Sequence, residues 1–197
     1  MATTNETIDT WLRDAHATEA QAATMLRGTA RRNEDYPEFG QRLSEQADRC
    51  DANARAIDAC LTARGSSTSL IKDGIGQVTA LGQSLSGTVL GDEIVKAALA
   101  TTTFARMQAA SARSLVAAAT QQDDAQTASA CGAMLEAHEA FASDLDAMLP
   151  TLTTDYLARE SDDDRGVAAT LSSYSEPTSA EGGTNQSTIP GEPTRFS

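Results

Sequence analysis

The sequence predicts an all-α protein, an up-down-down-up four-helix bundle with a long crossover, a short C-terminal helix and a disordered tail. Aromatic residues make up 4% of the chain and alanine is abundant, which suits close helix packing better than a β-sheet. Apolar residues recur at three- and four-residue steps in four long segments, the spacing of one helix face. The chain of 197 residues is long enough for one well-packed domain.

The first helix is expected to begin at a capping Asn5 or Thr7 and to end at Arg27-Gly28, where glycine permits a stop. Glu19 falls within the apolar stripe of this helix, so a carboxylate is predicted to lie inside the bundle. The apolar members of the stripe are Ile8, Leu12, Ala15, Ala22 and Leu26.

The second helix is expected to follow Tyr36-Pro37, because proline is tolerated in the first turn, and to extend to about Ala63 before Gly65. The glycine-rich stretch 69–88 is interpreted as a long crossover with short helical turns, which a bundle needs when its second and third helices run parallel. The buried side of the second helix is predicted to consist of Phe39, Leu43, Cys50, Ile57 and Leu61.

The third helix is predicted to open at Gly91-Asp92 and to continue to about Ala119. Its inward stripe is Ile94, Val95, Ala98, Thr102, Ala105, Ala109, Ala112, Leu115 and Val116.

The fourth helix is predicted to run from about Asp123 to Leu149 and to end at Pro150. His138 lies in the middle of its inward stripe, and residues 151–160 form a final short helix that closes one end of the bundle. The other members of the stripe are Cys131, Leu135, Ala142 and Leu145.

Two segments differ in composition. Residues 1–160 carry the helical pattern, whereas residues 161–197 are rich in Ser, Thr, Gly, Pro and acids and are expected to form a disordered acidic tail.

Two long hairpins joined by a crossover are typical of the ferritin-like architecture, which holds two irons between carboxylates and histidines in the middle of its helices. This chain has two histidines, His16 and His138.

The charge balance excludes several partners. With 15 basic and 28 acidic residues the formal net charge is -13, so nucleic acid and acidic membrane surfaces would repel the chain. No apolar run of about 20 residues is present to span a bilayer.

The N-terminal segment lacks the pattern of a secretory signal, which indicates the cytoplasm. The odd, widely spaced set of Cys50, Cys60 and Cys131 indicates small core residues.

Three segments resemble the YciE/YciF type of ferritin-like protein, a bacterial family linked to stress responses. The resemblance spans residues 6–160 and is carried by the helix order and by the ending LP-x-LT-x-x-YLAR. The segments are LRDAHATEAQAATML in the first helix, TFARMQAASARSLVAAA in the third and LEAHEAFASDLDAMLPTLTTDYLAR in the fourth.

The resemblance implies a metal site with degenerate ligands. Glu19 and Glu45 match the glutamates of the first and second helices, but the third-helix run of family ligands is replaced by Ala105, Arg106, Met107 and Gln108. Arg49 stands near an expected imidazole or amide. His138 stands close to a usual fourth-helix glutamate, with Glu136 and Glu139 beside it.

These residues leave three interpretations of the core. A conventional two-iron site is disfavoured because two carboxylates cannot neutralise two iron ions in a low-dielectric interior. Glu19, Glu45 and His138 could hold a single iron, manganese or zinc ion. In a metal-free core, Glu19 bonds to His138 across two helices, and Arg49 and Arg106 pair with Glu45 or Glu19 in place of metal charge. We favour the metal-free core, and we expect His16 to be partly exposed.

Three functions follow. The leading hypothesis is a non-catalytic bundle with no bound cofactor that acts by homodimerisation or partner binding, in a stress-related role implied by the resemblance. The second is an oxidoreductase or iron-handling protein built on Glu19, Glu45 and His138. The third is an interaction module in which the tail 161–197 recognises a protein partner by folding on binding.

Overall fold

The computed structural model describes residues 3–67 and 94–174 of the chain. Four helices make up this part, and it contains no strand. They are α1 (Thr4–Arg32), α2 (Pro37–Ala63), α3 (Ile94–Gln121) and α4 (Ala125–Tyr174). The predicted all-α four-helix fold is therefore confirmed, while the predicted crossover of residues 69–88 and the cap at Gly91-Asp92 lie outside the described residues.

Helix α1 is longer at both ends than the sequence analysis predicted. It begins one turn earlier, because Thr3 and Glu6 form a capping box in which each side chain bonds to the other's backbone N–H. The predicted stop at Gly28 is wrong: the helix continues to Arg32 with Thr29 buried. Asn33 ends it by donating from its side chain to the Thr29 carbonyl, at 2.8 Å.

Helix α2 begins and ends where the sequence predicted. Pro37 occupies the first turn, where its missing N–H costs nothing. Gly65 follows the helix with a φ of 72°, in the left-handed region that glycine adopts without strain. The next backbone N–H, that of Ser66, bonds back to the Leu61 carbonyl at 2.8 Å.

Helix α4 does not stop at Pro150, so the predicted break and the separate short helix 151–160 are wrong. An internal proline costs a hydrogen bond and crowds the preceding turn. Here the ring is exposed on the outer face, while Leu145 before it and Leu152 after it are buried in the same apolar cluster. Burial on both sides offsets the cost of the proline.

The chain divides into two compact units, Met1–Ala158 and Arg159–Ser197. In the second unit the helix continues to Tyr174, so the first residues of the predicted disordered tail, 161–174, are helical. Residues 161–165 of this helical segment contact one another: Arg165 pairs with Asp162 at 3.4 Å and donates to the Ser161 carbonyl at 3.1 Å. Residues 175–197 lie outside the described part.

Two apolar clusters show the direction of each helix. The first cluster combines the end of α1, the starts of α2 and α3, and the middle of α4, from Phe141 to Leu152. The second cluster combines the start of α1, the ends of α2 and α3, and the start of α4. Helices α2 and α3 therefore run parallel to each other and antiparallel to α1 and α4, the predicted up-down-down-up order.

Nearly all the residues predicted to face inward are buried or partly buried in these clusters. Cys50, Cys60 and Cys131 are free thiols with buried side chains, as predicted. Within the described ranges, no helix is long and apolar enough to cross a membrane.

Candidate functional site

A layer of polar side chains, all buried except the partly buried Asn53, separates the two apolar clusters. On α1, Glu19 lies between Ala15 of the second cluster and Ala22 of the first. On α4, His138 lies between Met134 and Phe141 in the same way. Since each helix contributes a polar residue at this level, we call the set Glu19, Gln46, Asn53, Gln108 and His138 the polar layer.

Glu19 and His138 form the centre of the polar layer. Glu19 is 2% exposed and His138 is 0% exposed. The Nε2 atom of His138 lies 2.8 Å from Oε1 of Glu19. This contact joins α1 to α4 and confirms the expectation that the two side chains bond to each other across the bundle.

Two side-chain amides complete the hydrogen bonding of Glu19. Gln108 of α3 donates to Oε1 at 2.7 Å, and Asn53 of α2 donates to Oε2 at 3.0 Å. With His138, the carboxylate receives donors from three other helices. Hydrogen bonds to a buried charged group stabilise it strongly, since the charge has lost its hydration.

Gln46 of α2 sets the tautomer of His138. Its amide Nε2 lies 3.1 Å from His138 Nδ1, and an amide nitrogen can only donate. The Nδ1 atom therefore accepts, which leaves the ring proton on Nε2, where it is donated to Glu19. In the polar layer, Gln46 therefore donates a hydrogen bond to His138, and His138 donates one to Glu19.

The polar layer is also complete in its hydrogen bonding. Among the residues that the structure describes, no fully buried side-chain nitrogen or oxygen lacks a partner. Cys50 borders the layer, and its pKa is raised by burial first and by the negative charge of Glu19 second. A satisfied layer of this kind specifies the register of four helices.

Glu45, the third ligand proposed from the sequence, lies outside the polar layer. It is exposed on the surface of α2, where it accepts hydrogen bonds from Gln41 at 3.0 Å and Arg42 at 2.7 Å. These bonds, with that of Gln41 the larger cause, lower its pKa. The set Glu19, Glu45 and His138 is not assembled, because Glu45 precedes by one position the residue that points inward, Gln46.

The expected guanidinium replacement for metal charge is wrong as well. Arg106 lies on the surface and pairs with Asp146, and Arg49 is also exposed. Neither guanidinium pairs with Glu19, and the ion pair of Glu45 is with Arg42. The physical reason is that a buried guanidinium is costly to desolvate, whereas neutral amides supply the same donors at little cost. His16 is partly exposed, as expected.

Sequence reasoning overlooked Gln46 and Asn53. Both lie in the apolar stripe of α2, since Gln46 follows Leu43 by three residues and Asn53 precedes Ile57 by four. A polar residue inside such a stripe is the same signal that identified Glu19 on α1.

The polar layer does not fit a two-iron centre. It offers one carboxylate and one imidazole, whereas such centres take about four carboxylates and two histidines. The described residues contain no group of three or more His, Cys, Asp or Glu side chains placed to hold a metal ion. The amide nitrogens that face Glu19 are donors and cannot act as metal ligands.

The fold and the polar layer together define a four-helix bundle whose interior carries a hydrogen-bonded carboxylate–imidazole–amide layer. The chain belongs to the family described as a domain of unknown function, DUF892, whose match covers residues 3–158. The chain is also similar to a protein from Xanthomonas campestris pv. campestris of known crystal structure, with 25% sequence identity and a TM-score of 0.68. That similarity covers 81% of this chain and 99% of the Xanthomonas chain.

Proposed function

We propose that this protein is a non-catalytic ferritin-like bundle of the YciE/YciF type that acts by self-assembly or partner binding in a stress-related role. One observation carries the proposal. Both oxygens of Glu19 are engaged by protein donors, at 2.7 Å from Gln108, 2.8 Å from His138 and 3.0 Å from Asn53. A carboxylate used in this way stabilises the bundle and has no further role as a ligand.

The polar layer stands where a ferritin-like bundle would hold its metals. Replacing anionic ligands with amides removes the charge that two iron ions would require. The single remaining carboxylate is then compensated by hydrogen bonds. We infer that the outer surfaces of the helices carry the function of the bundle, by contacting other molecules, and that the core only stabilises the helix arrangement.

The surface of α3 supports self-assembly. Two large apolar side chains are exposed there, Leu99 at 51% and Met107 at 37%. Helix α3 contains no acidic residue between Ile94 and Gln121. In a chain of net charge -13, an acid-free helix is where a second copy would be repelled least. We propose a homodimer through this face.

Metal content and assembly test the proposal separately. Protein purified without chelator is expected to contain less than one equivalent of iron, manganese or zinc, to lack ferrous-oxidation turnover and to keep its Tm after treatment with EDTA. Stoichiometric metal that is lost in Glu19→Ala, or oxidation with turnover, would contradict the non-catalytic assignment and favour an oxidoreductase or iron-handling protein.

Light scattering after gel filtration tests the dimer. The wild-type chain is expected to elute as a dimer, and Leu99→Ser with Met107→Ser is expected to shift it toward the monomer. A matched control is Leu157→Ser, since Leu157, which is 58% exposed, is also an exposed apolar side chain but lies on α4. A wild-type chain that is strictly monomeric would rule out self-assembly through this face.

Recognition of a protein partner by the tail 161–197 is a separate proposal, which rests on the acidic, Ser/Thr-rich composition alone. Deleting residues 161–197 should abolish capture of such a partner while leaving the bundle of residues 3–158 folded. Capture of the partner that survives the deletion would show that the tail does not recognise it.

A further inference from the structure

A groove of about 320 Å³ lies on the bundle between α2 and α4, beside the polar layer. Ala133, Ala137 and Ala140 of α4 lie along it, and their small side chains leave space between the helices. Pockets that bind small molecules begin at about this volume. The groove is large enough for a ligand of the size of an amino acid.

Gln46 connects the groove to the polar layer. Its side chain is 3% exposed and also lines the groove. The amide nitrogen donates to His138, whereas none of the hydrogen bonds among the described residues is accepted by the carbonyl oxygen. Since no fully buried polar atom of the described residues lacks a partner, this oxygen keeps some contact with solvent. Because Gln46 lines the groove, we infer that the oxygen is reached from there and can accept a hydrogen bond from a ligand.

Opposite charges line the two walls of the groove. Arg49 of α2 and Glu136 of α4 both line it, and neither forms an ion pair or hydrogen bond with another described residue. At one end of the groove the situation differs, because Arg42 bonds to Glu45 at 2.7 Å and also pairs with Asp144 of α4. The charge of Arg49 contributes to the lowered pKa of Glu45, but Arg49 forms no ion pair with it, so Arg49 and Glu136 can both bond to a ligand in the middle of the groove.

We propose that this groove binds a small zwitterion of the free α-amino acid type. The guanidinium of Arg49 matches a carboxylate, to which arginine can make two parallel hydrogen bonds. The ammonium group of the same ligand supplies donors for Glu136 and for the carbonyl oxygen of Gln46. The alanine side chains accommodate its aliphatic part.

Ligand binding at Gln46 also changes the hydrogen bond between Gln46 and His138. A donor on the Gln46 carbonyl polarises the amide that holds His138 Nδ1, because hydrogen bonds in a chain strengthen one another. The ring nitrogens of His138 and the side-chain amide of Gln46 therefore report occupancy of the groove directly. This readout does not depend on any enzymatic activity or on bound metal.

The test is a titration of ¹⁵N-labelled full-length protein with each free protein α-amino acid, followed by NMR. At least one is expected to shift the His138 ring nitrogens and the Gln46 side-chain amide in a saturable manner. Arg49→Gln and Glu136→Gln are expected to weaken that binding about tenfold or more, since each removes a charge-assisted hydrogen bond. Arg55→Gln is the matched control, because Arg55 is an exposed arginine of α2 that does not line the groove.

Ligand derivatives provide a second comparison on the unaltered chain. The amide of the bound amino acid lacks the carboxylate, and its N-acetyl derivative lacks the ammonium group, so each is expected to bind about tenfold more weakly or worse. The proposal is overturned if no amino acid produces saturable shifts, if both derivatives bind as well as the parent, or if Arg55→Gln weakens binding as much as Arg49→Gln.

Discussion

Glu19 occupies a position that an apolar residue would ordinarily fill, in the middle of the inward stripe of α1. Its burial is tolerated because His138, Gln108 and Asn53 provide donors in fixed directions. These donors in turn depend on Glu19 as their acceptor. The residue is therefore the point through which all four helices are connected.

Replacing this carboxylate tests its role. Glu19→Ala leaves the buried donors of His138 and Gln108 and the partly buried donor of Asn53 without an acceptor, and it should lower the free energy of unfolding by about 3 to 5 kcal/mol. Urea unfolding at neutral pH measures the change. Glu139→Ala is the control, since Glu139 pairs with Arg113 on the surface and should cost no more than about 1 kcal/mol. Equal losses in the two variants would show that Glu19 is not the centre of the layer.

The cysteines give a second prediction for individual residues. Burial raises the pKa of Cys50 and Cys60, and it raises the pKa of Cys131 to about 12. At pH 8 the thiolate fraction of Cys131 should be about 10⁻⁴, and the thiolate is the reactive form. Native protein should therefore resist iodoacetamide at pH 8, and all three thiols should react in urea. Rapid alkylation of the native chain would contradict this.

The same raised pKa has a consequence for stability. An unfolded thiol ionises near pH 9.0, whereas folded Cys131 does so near 12, so its contribution is complete below pH 9 and decreases as the pH rises toward 12. Urea midpoints at pH 8 and pH 11 should show the decrease. Cys131→Ala should show a smaller decrease over that range, and an identical slope would exclude Cys131 as its source.

Among the elements, helix α4 has the best-defined start. Asp124 accepts from the Thr127 backbone N–H at 3.0 Å and from its hydroxyl at 2.7 Å, and it pairs with Arg64 at 2.7 Å. Arg64 also bonds to Asp9 at 2.6 Å. The start of α4, the end of α2 and the start of α1 are thus held together by one guanidinium.

Variants of Asp124 separate its cap from its charge. Asp124→Ala should lose about 1 to 2 kcal/mol for the cap, whereas Asp124→Asn keeps an acceptor for Thr127 and loses only the pairing with Arg64. Burial alone would raise the pKa of Asp124, but the bonds from Thr127 and Arg64 outweigh it and the pKa is lowered.

A lowered pKa provides stability above the unfolded value of 3.8, and this stability is lost as the pH falls below it. The difference in unfolding free energy between wild type and Asp124→Asn should therefore shrink as the pH falls below about 3.8. A difference that stays constant between pH 6 and pH 3 would contradict a role for the charge.

At the scale of the whole molecule, the helix order places the end of α2 and the start of α3 at opposite ends of the bundle. A helix of 27 residues is about 40 Å long, and the connection between α2 and α3 must cover that length. This requirement follows from the topology alone, whatever conformation residues 68–93 adopt.

Linker replacement tests the topology. Exchanging residues 68–93 for a Gly/Ser linker of equal length should preserve cooperative unfolding and the His138 resonances. A six-residue linker extends to at most about 20 Å, so it should abolish both. Native-like His138 signals with the short linker would show that α2 and α3 are not parallel.

The presence of four long helical segments and their inward stripes was predictable from the sequence, since a 3.6-residue period directly reports which face of a helix avoids water. Glu19 and His138 were predictable as interior residues for the same reason. Element ends were harder to predict: Gly28 and Pro150 are local signals to stop, and packing of Thr29 and Leu152 overrides them.

The sequence by itself determined the fold class, the helix order and the presence of a carboxylate and an imidazole in the core. Only the tertiary structure decided their partners, because Glu45 and Gln46 are adjacent in the chain and a rotation of about 100° around α2 places one on the surface and the other against His138. Hydrogen bonding across four helices depends on such angles and on side-chain reach. The apolar periodicity of a single helix reports neither the rotation of its neighbours nor the reach of their side chains.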